Sequence, residues 1–294
     1  MQCTERCYIC PRMCGADRGT GTGVCLSGIQ PRVARAALHY WEEPCISGER
    51  GSGTVFFSGC SLKCVFCQNE KISRGNFGKD VSVSRLRSIF FELIEKGAHN
   101  INLVNPTHWA DAILSALDGG LPVPVVYNTG GYDRVETLRR FEGKIQIYLP
   151  DMKYAFSDTA KRYSSAPDYP ETAKKAIMEM YRQTGPFELD DDGILRRGVV
   201  IRHLVLPENI ENTFSVIDWV SETFAPGQVL FSLMSQFTPT AGCSEYPELC
   251  RRLSRTEYDR CFDYLSQSGI EDGFFQELSS AEEEYIPPFD LEGV

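Results

Sequence analysis

Phe57-Ser58-Gly59-Cys60-Ser61-Leu62-Lys63-Cys64-Val65-Phe66-Cys67-Gln68-Asn69 is the stretch whose reading decides the fold. Its cysteines are spaced C-x3-C-x2-C. Just before them, residues 54–58 form a short β-branched and aromatic run suited to a buried strand. One loop at a strand end therefore carries three thiols. Thiolates, usually four, hold iron–sulfur clusters. Three hold three irons and leave the fourth open to a small molecule. The competing reading is a zinc site completed from elsewhere, although zinc favours paired C-x2-C units from two segments.

Outward from this loop the chain alternates. A helix is expected over 84–96, where Leu86, Ile89, Phe90, Leu93 and Ile94 share one face and Gly97 caps the end. Strands follow at 101–104, 123–127, 145–149, 199–206 and 228–233. Helices are read from Thr107, after Asp133 and Glu136 as a capping-box-like pair, over 170–184, from Ile210, and after the capping box Ser254/Glu257. Six strands alternating with helices imply a parallel sheet with right-handed crossovers. Six fall short of the eight of a closed TIM barrel. The expected fold is α/β, a partial (β/α)6 TIM-like barrel, with its active site at the C-terminal strand ends. Residues 1–48 are read as a Cys-rich N-terminal lobe and connector, and 49–294 as the barrel with a C-terminal tail. The connector runs from Pro31 to Gly53. The tail, 279–294, is expected to strap the surface or stay mobile.

The chain has 294 residues and a formal net charge of −10, with only short basic clusters such as Arg139-Arg140 and Arg251-Arg252. Nucleic acid and anionic membranes are therefore poor partners. The start has no apolar run after a basic segment, and no stretch reaches the ~18 apolar residues of a membrane span. A cytoplasmic protein is expected. Twelve cysteines in a reducing compartment point to metal or cluster ligation rather than disulfides.

The run from Ala36 through His39-Tyr40-Trp41-Glu42-Glu43-Pro44-Cys45 to Gly59-Cys60 resembles the radical S-adenosylmethionine (SAM) proteins that are homologues of pyruvate formate-lyase activating enzyme. So do Cys7-x2-Cys10-Pro11-x2-Cys14 near the start and Gly273-Phe274-Phe275-Gln276-Glu277 near the end. The resemblance implies a [4Fe–4S] cluster on Cys60, Cys64 and Cys67. It implies SAM on the open iron and reductive cleavage to a 5′-deoxyadenosyl radical. Phe66 would shield the cluster near the adenine.

By strand order, Asn105-Pro106-Thr107-His108 stands where many relatives carry a Gly-Gly-Glu turn that meets the SAM amino group. The glutamate is missing here, so Asn105 or Thr107 would supply the acceptor. Thr107 reads equally well as a helix N-cap. Asn128-Thr129-Gly130-Gly131 is similar to the turn of glycyl-radical activases near the SAM carboxylate and a bound monovalent cation. Asp151-Met152-Lys153 is similar to their Asp-x-Lys motif, against which stands a plain surface ion pair. Arg202 or His203 matches their basic position. Strand alternation admits one of the two, and Arg202 is preferred because an inward arginine needs an anionic partner. Met234 and Gln236 are read as substrate-side or simple packing residues. Among the histidines, His108 is placed nearest the SAM site.

Cys3, Cys7, Cys10, Cys14 and Cys25 precede the motif. Cys7, Cys10, Cys14 and Cys25 would hold either a structural zinc or a second iron–sulfur cluster. Cys45 is a thiol that reaches the active site or a buried small residue. Cys261 is read as core, and Cys243 as a possible cavity residue. The partners implied are a glycyl-radical protein and a reductant such as flavodoxin or ferredoxin. The alternatives are radical modification of a peptide or small metabolite, and a non-catalytic iron–sulfur or zinc protein.

Overall fold

A computed structural model describes residues 6–276 and 287–294. Cys3, Glu277 and the stretch 279–286 lie outside the described residues. The strands are β1 (Arg32–His39), β2 (Ser52–Phe57), β3 (Lys79–Asp80), β4 (Ile101–Val104), β5 (Val125–Thr129), β6 (Ile147–Pro150), β7 (Glu188–Leu189), β8 (Leu195–Leu204), β9 (Leu230–Met234) and β10 (Gly273–Phe275). Their order is β10-β9-β8-β6-β5-β4-β2-β1-β3, with β7 paired to β8 off this path. From β2 to β10 each neighbour along the order is parallel. β1 lies antiparallel to both β2 and β3, and β7 antiparallel to β8. The two ends of this order, β10 and β3, are different strands, so the sheet is an open barrel. No helix among the described residues is long and apolar enough to cross a membrane.

Period-two alternation builds the barrel. Val126, Ile147, Leu149, Val200 and Leu230 form one small apolar cluster with Cys45 and Ile46. The alternate residues Tyr127, Tyr148, Ile201 and Phe231 belong to the large cluster shared with the helices. Over 83–95 the expected helix forms, capped by Ser82 and burying Leu86, Ile89, Phe90 and Leu93. Ser254 and Glu257 make their capping box reciprocally.

All six expected parallel strands are present, within a few residues of their expected bounds. Three features depart from expectation. The connector contains β1, whose Ala34-Arg35-Ala36-Ala37 centre lacks the β-branched residues that announce a strand. β10 adds a short seventh parallel strand. Asp133 and Glu136 do not cap a helix. The Val135–Arg139 helix starts without a side-chain cap, and Asp133 is buried with other partners.

The C-terminal residues 287–294 cover β1. Leu291 N–H donates to Ala34 O (3.1 Å), and Ala36 N–H donates to Glu292 O (2.8 Å). Phe289 packs with Ala34, Phe56 and Ile72.

Candidate active site

The loop after β2 opens on a cavity at the C-terminal ends of the parallel strands. Cys60, Cys64 and Cys67 all line it, as do Phe66, Asn105, Thr107, Asn128, Thr129, Asp151, Lys153 and Arg202. Every cofactor-site residue expected from the sequence therefore borders the same space. Phe66 meets Tyr154, Tyr163 and Phe237 edge-on at 6.2–6.4 Å, which fixes the loop against the helix layer. Burial, then the charge of Cys64, pushes the Cys67 thiol up to about 12. The same causes raise Cys60.

Opposite the thiols lies a charged network. The Arg202 guanidinium donates Nε–H to Asp151 Oδ1 (2.9 Å), Nη1 to Glu42 Oε2 (3.0 Å) and Nη2 to Asn128 Oδ1 (2.7 Å). Lys153 Nζ donates to Asp151 Oδ2 (2.5 Å). Burial works to raise the Asp151 pKa. The charges of Arg202 and Lys153, and their hydrogen bonds, outweigh it and hold the carboxyl below its ordinary value. Burial works to lower the Lys153 pKa, yet the charge of Asp151 outweighs it and holds the ammonium above its ordinary value. Both stay charged across neutral pH. The surface ion pair weighed for Asp151 and Lys153 does not apply, since the pair lines the cavity.

Thr107 caps no helix by its side chain. Its hydroxyl donates to Asp133 Oδ1 (2.6 Å), to which Tyr127 also donates (3.0 Å), while Thr129 donates to Asp133 Oδ2 (2.6 Å). Asp133 is thus a buried anchor for the β4 and β5 ends. Asn105 takes a left-handed backbone (φ 59°) and donates Nδ2–H to Gly59 O (2.5 Å), tying the turn after β4 to the cysteine loop. Arg202 and His203 divide as alternation requires. His203 faces the helix layer between Met152 O and Thr213 Oγ1 (2.6 and 3.0 Å), and burial pushes it down to about 4.

Met234 and Gln236 line the cavity. His108 does not. It is buried behind β2 with Nε2 2.9 Å from Ser58 O. Cys45 packs in the small apolar cluster, and Cys243 and Cys261 in the large one.

The sequence reading missed His39, Glu42, Glu43 and Tyr132, which also line the cavity. Glu42 accepts from Asn102 (3.2 Å) and Asn128 (3.0 Å), and Glu43 accepts from Ser232 (2.9 Å). Burial raises the Glu43 pKa, though the Arg202 charge works against it. Paired glutamates before a proline were the available signal, hidden by reading the segment as a connector.

The N-terminal thiols stand apart from this cavity. A Cβ built on Gly23 would lie 3.3 Å from Cys14 Sγ and 3.5 Å from Cys25 Sγ. Burial first, then charge on Cys25, Cys7 and Cys14, pushes Cys10 up to about 12 against a backbone hydrogen bond at Arg12. Among the described residues no three His, Cys, Asp or Glu side chains close around a position for a single metal ion.

The three-cysteine loop stands at the end of the first parallel strand of an open, mostly parallel, partial TIM-like barrel. The structure of SuiB from Streptococcus suis bound to S-adenosylmethionine shares this barrel, with a TM-score of 0.51 and 15% identity over 76% of this chain and 50% of that one. SuiB bound to its precursor peptide SuiA gives 0.50 and 13%, over 78% and 49%. The chain spans about half the length of these SuiB chains, and the likeness is one of fold. By sequence, the chain is 27% identical over 277 residues to the uncharacterized protein MJ0674 of Methanocaldococcus jannaschii, covering 91% of this chain and 76% of that protein. No family model matches.

Proposed function

We propose that the chain is a radical SAM enzyme with a [4Fe–4S] cluster on Cys60, Cys64 and Cys67. One observation carries this reading: the three thiols and the Asp151–Lys153–Arg202–Glu42 network border one cavity. The donor set suits the group. Three thiols from one loop border the cavity, and iron–sulfur cores are held by cysteine thiolates. Gln276 also borders the cavity, and its Oε1 is buried with no partner among the described residues, which leaves an acceptor for a ligand.

When bound, the cluster and SAM supply a 5′-deoxyadenosyl radical for hydrogen abstraction. The chain's own residues bind and orient. Lys153 and Arg202 offer positive charge to a carboxylate, and the Asn105, Asn128 and Thr129 side chains offer polar contacts. Phe66 keeps water from the thiols. The Asp133 anchor holds two of the contributing turns in register. Asp151 already has two cationic partners, so a monovalent cation would be repelled there, and none is assigned to the site. The Cys7, Cys10, Cys14 and Cys25 thiols are assigned to a second metal centre.

For the substrate we infer a protein, activated by forming a glycyl radical, with a flavodoxin or ferredoxin as reductant. The resemblance to activating enzymes supports it. Radical modification of a peptide is the second reading, favoured by the fold shared with SuiB, which has been solved with a precursor peptide.

The test is anaerobic reconstitution, reduction with SAM present, and assay of 5′-deoxyadenosine. Formation of 5′-deoxyadenosine that is lost in Cys64→Ala supports the enzyme. A reduced cluster whose EPR spectrum ignores SAM sinks it. A glycyl-radical doublet on a copurifying large chain would favour activation, and a mass change in a short peptide would favour the second reading.

A further inference from the structure

Residues 6–31 contain no helix or strand, although they form a defined lobe. So long a stretch without secondary structure is uncommon in a compact protein unless something other than a ladder holds it. An apolar core does not hold this one. Four of its large apolar side chains, Tyr8, Met13, Val24 and Ile29, are exposed at 44–55%, and Ile9 packs against the barrel's core instead of forming one for the lobe. Two of its thiols, Cys10 and Cys25, are buried, each 6% exposed. Exposed apolar side chains around buried thiols leave the lobe without an apolar core of its own. This is the pattern of a lobe whose core is a metal centre.

The backbone brings the other two thiols to the same place. Cys7 N–H donates to Ala16 O (3.0 Å), and Gly15 N–H donates to Cys7 O (3.0 Å), which folds the Cys7–Cys14 segment back on itself. Met13 N–H donates to Cys10 O (3.0 Å) and Leu26 N–H to Gly23 O (2.9 Å), each closing a tight turn beside a cysteine. Gly23 is wedged between Cys14 Sγ and Cys25 Sγ. Four thiols with no carboxylate or imidazole suit soft metals, zinc or iron–sulfur. Zinc draws four sulfurs to about 2.3 Å of one atom. A cubane ligates through four separate irons and so spreads its thiolates. As placed, neither these thiols nor Cys60, Cys64 and Cys67 close on a single-ion position. The four thiols resemble the three of the cysteine loop in this respect.

The lobe bears directly on the radical loop. Arg12 donates Nε–H to Ser61 O (2.8 Å) and Nη2 to Ser164 O (2.8 Å), and its guanidinium lies 5.3 Å from the Tyr132 ring. Arg18 donates to His108 O (2.5 Å) and stacks 4.9 Å above Trp109. Gly59, next to Cys60, has φ +83°, and a Cβ there would stand 2.4 Å from Cys25 O. The backbones of a lobe ligand and of the cluster loop are in contact.

We propose that Cys7, Cys10, Cys14 and Cys25 hold a second iron–sulfur cluster, which serves as the core of the lobe and braces the loop carrying Cys60. Only the bracing clause rests on the radical SAM reading.

The test uses the full chain. Cys60→Ala/Cys64→Ala/Cys67→Ala, reconstituted anaerobically with iron and sulfide, should retain about four irons and four sulfides per chain. Zinc alone, or no metal, overturns the proposal. Separately, Cys7→Ser/Cys10→Ser/Cys14→Ser/Cys25→Ser reports the radical site, so a failure there leaves the first result intact. Should either multiple variant not fold, the wild type decides by Mössbauer counting: about eight irons support the proposal and about four irons overturn it. For the bracing, Cys14→Ser, at an exposed position, should raise amide exchange over residues 58–67 while leaving the Val83–Glu95 helix unchanged. Unchanged exchange in the loop overturns it.

Discussion

Arg202 sits among three oxygen-bearing side chains, and charge balance in the cavity depends on it. Its partners Asp151 and Glu42 come from β6's end and from the segment after β1, so one side chain joins distant parts of the barrel. Arg202→Met would leave both carboxylates short of a counter-charge, with Asp151 keeping only Lys153. Breaking a buried pair this way costs about 3–5 kcal/mol. The variant should unfold at clearly lower denaturant, and SAM affinity should fall as well. Unchanged stability would mean that the network is not formed. Glu43 gives a pH test. Its raised pKa means that the native state holds the proton more tightly than the unfolded chain does. Its contribution is full below the ordinary carboxyl value of ~4.3 and is lost as pH rises through the folded pKa. The charges facing it are Arg202, Glu42 and Asp151. Glu43→Gln should therefore gain Tm relative to wild type as pH rises, and the two should converge in acid. A constant difference across pH would refute the buried, protonated carboxyl.

At the scale of elements, the turn after β5 is a tight junction in the site. Gly131 has φ +78°, and a Cβ there would come within 2.2 Å of Asp151 O, a backbone atom that cannot yield cheaply. Gly131→Ala should cost about 2–4 kcal/mol by strain and displacement. Gly130→Ala meets only Leu62 Cδ1 (3.0 Å) and Lys153 Cε (3.5 Å), ends of flexible side chains, and should cost less. Equal melting temperatures for the two would sink this reading. The same junction shows what could be read ahead. The strands β2, β4, β5, β6, β8 and β9 were legible because buried parallel strands are short β-branched and aromatic runs. The polar residues ending them marked the cavity. β1 was not legible, because alanines carry no strand preference and its pairing is long-range. Glu42 and Glu43 were hidden with it. Asp133 was misread since helix caps and buried anchors use the same residue types, and only tertiary placement separates them.

For the whole molecule, an open barrel leaves an edge to cover. β1 extends the sheet beyond β2, and residues 287–294 lie against β1 in turn. Arg35 pairs with Asp290 and Glu292, Lys71 donates to Phe289 O (2.6 Å), and Arg85 donates to Gly293 O (3.1 Å). Phe289 packs edge-on against Phe56 at 5.5 Å, and Phe56 lines the cavity from β2. The C-terminal residues thus reach the cavity, directly through Pro287 and through Phe289 by way of Phe56. Burying a phenylalanine contributes about 1.5–3 kcal/mol. Two backbone hydrogen bonds add about 1 kcal/mol each. Exposed ion pairs such as Arg35–Asp290 add little. Deleting residues 287–294 should therefore lower Tm by about 5–10 °C and expose a strand edge prone to self-association. Phe289→Ala, with the backbone pairing intact, should reproduce the packing share of the Tm loss without the self-association. Should the deletion leave both Tm and sedimentation unchanged, β1 does not depend on the C-terminal residues, and the cavity wall at Phe56 is held by β1, β2 and β4 without them.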